Sequence, residues 1–155
     1  MKLIATTILL FIGTIAFSQC PSIESMLKKR NIKDDYNLNS QSRTGVLAPE
    51  QSYEMSFIAH PGLDYRLSTI LAEGSQGTLN YEVFEMVVEK KVIDGKETFK
   101  KTKKVLATSG AEALEFSSDS ARKIFVNVTV NGGEKKKMSC VAVVVETKRS
   151  TRTGF

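Results

Sequence analysis

From residue 52 onward the chain is governed by a period of two. Tyr53, Met55, Phe57 and Ala59 alternate with Ser52, Glu54, Ser56 and Ile58; after "HPG" at 60–62, Tyr65, Leu67, Thr69 and Leu71 repeat the pattern. Successive side chains of a strand point to opposite faces, so this spacing predicts two half-buried strands, which the short turn joins as a hairpin. "TLNYEVFEMVVEKKV" at 78–92 predicts a third strand, with Tyr81 and Val83 on one face and Phe84 and Met86 on the other. Asp94-Gly95 is a hairpin-turn dipeptide, and the return strand runs from Glu97 to Thr108.

A short strand at 113–116, a longer one at 122–130 and a last one at 140–148 complete the series, separated by the turn-forming "SSDSA" and "NGGEKKK". About seven short strands with almost no helix predict an all-β fold, an antiparallel β-sandwich. The last strand is nearly all Val and Ala between its ends, which places it centrally and covers it on both faces. Before the strands, Ile23, Met26 and Leu27 share one helical face with Ser22 as N-cap, predicting a short helix that ends near Asn31. The polar stretch 31–51, rich in Asn, Ser, Gly and Pro, reads as an irregular connector.

The first residues combine Lys2, an apolar run from Leu3 to Phe17 and small residues at its exit, the three parts of a secretory signal peptide. The run is shorter than the roughly 20 residues that a membrane span needs. Ala16 and Ser18 occupy the small-x-small positions, which sets the cut before Gln19 and divides the chain into a signal peptide at 1–18, a helix and connector at 19–49 and a sandwich domain at 50–155. The expected location is periplasmic or extracellular. A lipid anchor at Cys20 is the alternative, although Gln19 is bulky for a residue preceding a lipidated cysteine.

Export bears on the two cysteines, because disulfides persist in oxidising compartments. Cys20 and Cys140 are read either as a bridge tying the N-terminus to the last strand, the preferred reading, or as two independent thiols. Closing so long a loop is worth about 4 to 5 kcal/mol in the chain-entropy model.

The sources of chemistry are few. His60 is the only histidine and sits in a turn; neither cysteine has a histidine near it, and no Gly-x-Ser-x-Gly elbow occurs. Glu82 faces away from Glu85 and Glu89, and these carboxylates read as solvent-facing charges rather than a glycosidase pair. Asp34-Asp35 is the best local calcium candidate and reads as a polar loop. The expectation is a non-enzyme with no metal and no cofactor.

The charge balance, 22 Lys+Arg against 17 Asp+Glu, is basic. For an exported chain this favours an anionic glycan, lipopolysaccharide or lipid headgroup over nucleic acid. The candidate polyanion-binding residues are Lys90, Lys91, Lys100, Lys101, Lys103 and Lys104 on the predicted hairpin, together with Lys96; Lys135 to Lys137 form a second group. The same lysines also serve to keep an edge strand from pairing with another sheet. An envelope or secreted protein partner is the other expectation.

Three stretches, "GLDYRLS" at 62–68, "YEVFE" at 81–85 and "RKIFVNVTV" at 122–130, make residues 50–148 resemble the bacterial pre-peptidase C-terminal domains. The chain lacks the Asp-x-Asp turn often seen before the third strand of those domains. It is also similar to exported bacterial proteins that end in a Gly-Phe tail, here Gly154-Phe155. The first resemblance implies a small jelly-roll-like sandwich serving as a non-catalytic accessory or binding module of the envelope.

Overall fold

A computed structural model describes residues 20–28, 35–93, 96–108 and 113–151. The signal-peptide reading at 1–18, the Asp94-Gly95 turn and Asp34 lie outside the described residues. Among these residues are one short helix, α1 (Ile23–Leu27), and nine strands: β1 (Asn37–Leu38), β2 (Arg43–Leu47), β3 (Ser52–Ala59), β4 (Leu63–Leu71), β5 (Thr78–Ile93), β6 (Lys96–Thr108), β7 (Leu114–Ser117), β8 (Arg122–Asn131) and β9 (Ser139–Arg149).

The pairing is that of one long antiparallel hairpin rolled into two layers. β2 pairs with β9, β3 with β8, β4 with β7 and β5 with β6, each pair nested inside the one before. Rolling places β2, β9, β4 and β7 side by side in one sheet, with β1 also on β9, and β3, β8, β5 and β6 in the other. This is a jelly roll, an antiparallel β-sandwich.

The alternation sets the core. Met55, Phe57 and Ala59 on β3, Tyr81 and Val83 on β5, and Ile124, Val126, Val128 and Val130 on β8 meet Tyr65, Leu67, Val141, Val143 and Val145 from the facing sheet. All are buried, as period-two patterning requires of two inner faces.

Two sequence expectations are corrected here. β3 and β4 do not pair with each other, so the "HPG" segment is an arch between sheets and not a hairpin turn. Tyr65 fixes the arch: its ring is fully buried against Phe57 and Phe116, and its hydroxyl accepts the His60 backbone N–H at 2.7 Å. The connector at 31–51 likewise contains β1 and β2, both hydrogen-bonded to β9. Between them the chain leaves β9, and Ser42 fills the gap. Its buried hydroxyl accepts the Val145 N–H at 2.9 Å and donates to the Val145 carbonyl at 3.0 Å, satisfying groups a buried central strand cannot leave unpaired.

β9 is central and covered on both faces, as its Val-rich sequence requires. Its outward residues Ala142 and Val144 are buried beneath Met26 of α1, with Ile23, Leu27 and Ile70 around them. α1 holds all three residues of the expected apolar face and ends at Leu27 with Lys28 as C-cap, while Asn31, its expected end, lies outside the described residues; Ser22 caps it as expected, accepting the Ser25 N–H. A helix of five residues is far below the length that is stable alone. The Cys20–Cys140 disulfide, with Cα atoms 5.4 Å apart, holds it against the sheet. Further along the same face Tyr36 lies over the Arg66 guanidinium at 4.0 Å and near the Lys148 ammonium at 4.5 Å.

Candidate functional site

β5 is 16 residues long, whereas its neighbour β8 has 10. The β5–β8 ladder runs from Thr78 to Glu85 and stops there, while the β5–β6 ladder continues to Ile93 opposite Lys96. Beyond Glu85, therefore, β5 and β6 form a two-stranded ribbon with no third strand beside it among the described residues. At about 3.3 Å per residue the ribbon projects some 25 Å past the sheet.

The base of the ribbon is where the core turns polar. Glu85 follows Tyr81 and Val83 on the inward face and is 8% exposed. Its carboxylate lies 3.3 Å from Arg122 and 3.3 Å from Lys104. The expectation of a merely solvent-facing Glu85 is thus corrected: it ends the core with a charge paired from two strands. Glu89, farther along the same face of the ribbon, is exposed as expected.

On the outer face the rings of Phe84 and Phe125 stack at 5.2 Å, with Lys103 over the first and Lys123 over the second. Met86, Val88 and Val92 continue this face along β5, and Val105, Lys103, Lys101 and Phe99 lie opposite on β6. Near the tip, Phe99 faces Lys90 and stands diagonally between Val88 and Val92. Phe99 is 68% exposed, Val92 65% and Val88 59%, the three most exposed large apolar side chains described. Large apolar groups clustered in solvent point to contact with another body.

The lysines divide into two sets. Lys90 pairs with Glu97, Lys103 with Glu82 and Lys104 with Glu85. Lys91, Lys100 and Lys101 make no ion pair among the described residues, and neither does Lys96. Lys101 shares the apolar face, whereas Lys91 and Lys100 lie on the other. Lys135 to Lys137 do not join this group. They follow β8, whose Asn131 is opposite Thr78 at the start of β5, roughly 50 Å of strand from the ribbon tip.

His60 is exposed, and its ring makes no hydrogen bond among the described residues. No group of three or more His, Cys, Asp or Glu able to hold a metal occurs among the described residues. A mainly apolar groove beside α1 is lined by Pro21, Met26, Ile70, Leu71 and Ala72, with Ser25 and Glu73 as its polar members. No described helix is long and apolar enough to cross a membrane. The disulfide is compatible with an exported location.

Sequence reading identified the lysines but not the apolar cluster between them. The available signal was the mismatch in strand length: alternation persists through 78–92, whereas "RKIFVNVTVN" is too short to flank it. No protein-family model and no curated protein sequence matches the chain, so the resemblance to pre-peptidase C-terminal domains rests on strand order and spacing.

Proposed function

We propose that this chain is an exported, non-catalytic β-sandwich module of the cell envelope, with a structural or binding role exercised through the β5–β6 ribbon. One observation carries the reading: the ribbon leaves the sheet at Glu85 and holds Val88, Val92 and Phe99 in solvent beside Lys101, which makes no ion pair among the described residues. A disulfide between the N-terminal segment and β9 suits a protein that works where thiols oxidise. A second reading, binding of a soluble polyanion such as an acidic glycan, is favoured by Lys91, Lys100 and Lys101, which make no ion pair among the described residues.

A photo-crosslinking residue placed at Phe99 in the producing cells tests the first reading, with the exposed Thr44 on β2 as control. Adducts from position 99 and few from position 44 are expected. Equal labelling from both positions rejects the ribbon as the contact surface.

A further inference from the structure

We propose that the outer face of the ribbon docks on a lipid bilayer bearing anionic headgroups. This rests on the ribbon being the contact surface and names what it contacts. The argument is charge complementarity joined to the apolar pattern. Between residues 89 and 104 the chain has seven lysines and three acids, Glu89, Asp94 and Glu97, so the ribbon attracts an anionic surface.

A soluble polyanion would use those lysines and leave Val88, Val92 and Phe99 with nothing to enter. A protein partner would use the apolar residues, but the buried centre of such an interface is depleted in lysine. Here Lys101 lies directly opposite Val88, and Lys90, paired with Glu97, directly opposite Phe99 on the same face. A bilayer surface accommodates both. Apolar side chains enter the boundary between headgroups and acyl chains, while lysine stems lie along them and place their ammonium groups among the phosphates.

The geometry also suits shallow contact. The apolar cluster lies near the end of the projection, so the sandwich need not approach the lipid, and the second ribbon face carries Lys91 and Lys100 for longer-range attraction. Binding of this kind is reversible and weakens with salt.

The test is co-sedimentation of the disulfide-bonded protein with phosphatidylcholine vesicles, with and without phosphatidylglycerol. Two variants accompany it, V92S/F99S and K100Q/K101Q; they alter exposed side chains without ion pairs among the described residues, and an unchanged thermal midpoint checks their folding. Binding should require phosphatidylglycerol, fall about tenfold or more in either variant, and decline with salt. If V92S/F99S binds these vesicles as well as the parent, attraction is purely electrostatic and the docking proposal fails in favour of a polyanion. If no vesicle binds yet position 99 still crosslinks in cells, the ribbon contacts a protein; the lipid proposal fails and the functional reading stands. If neither occurs, both fall.

Discussion

Replacing both Cys20 and Cys140 with serine is expected to lower the free energy of unfolding by about 2 to 5 kcal/mol, measured by urea denaturation of the oxidised parent and the variant. The bridge spans a sequence separation of 120, and cross-linking ends so far apart removes much of the entropy of the unfolded chain. In the nested hairpin these residues belong to the outermost layer, where nothing else covalent joins the two arms. The loss has a local face as well: without the bridge, the five-residue α1 is held mainly by Met26 and its apolar neighbours, and Ala142 and Val144 become accessible as it departs. Binding of a hydrophobic dye to the folded variant reports that exposure. A loss below about 1 kcal/mol would mean that packing of 20–28 suffices and that the bridge is not what secures this segment.

The second large effect is at Tyr65. Tyr65→Ala should cost about 3 to 5 kcal/mol, the range for removing a fully buried aromatic side chain. The ring fills the core beneath the arch, between Phe57 of one sheet and Phe116 of the other, and is fully buried. Tyr65→Phe retains that packing and removes only the hydroxyl that accepts the His60 N–H, so it should cost about 1 to 2 kcal/mol. Equal losses in the two variants would place the whole effect in the hydrogen bond and contradict the packing argument. Thermal or urea unfolding of the three proteins gives the comparison.

These effects reveal which parts of the fold were legible in the sequence. β3, β4, β5, β8 and β9 announce themselves because one or both faces are buried and their side chains carry the period. β2 does not, since it lies at a sheet edge: in "RTGVL" only Leu47 is buried, and no alternation survives. "HPG" marked a reversal correctly, but a hairpin and an arch use the same turn chemistry. Which one forms depends on whether β3 finds β4 or the distant β8, and residues 60–62 carry no information about that choice. The bridge was legible as one of two alternatives because an expected export, the long spacing and Cys140 near the start of a strand coincide.

The ribbon was half legible. Its lysines are conspicuous in the sequence, yet nothing in "EVFEMVVEKKV" changes where the core ends at Glu85; the transition is set by the pairing with β8, which ends at Ile124 opposite Glu85. Glu85 looks like any strand carboxylate until Arg122 and Lys104 are brought to it from other strands. The exposure of Val88, Val92 and Phe99 was hidden as well. Apolar residues at alternate positions normally signify a core face, and here they continue the outer face, which no other sheet covers among the described residues.

The most direct measurement is hydrogen–deuterium exchange of the native, disulfide-bonded protein, alone and with envelope fractions of its producing cells. A free two-stranded ribbon is marginally stable, so amides at 86–104 should exchange quickly in the isolated protein while those of β9 remain protected. On addition of the envelope fraction, slowing confined to 86–104 is the result expected if the ribbon is the contact surface. Unchanged exchange there, with new protection at another surface such as the β2 edge, would contradict it.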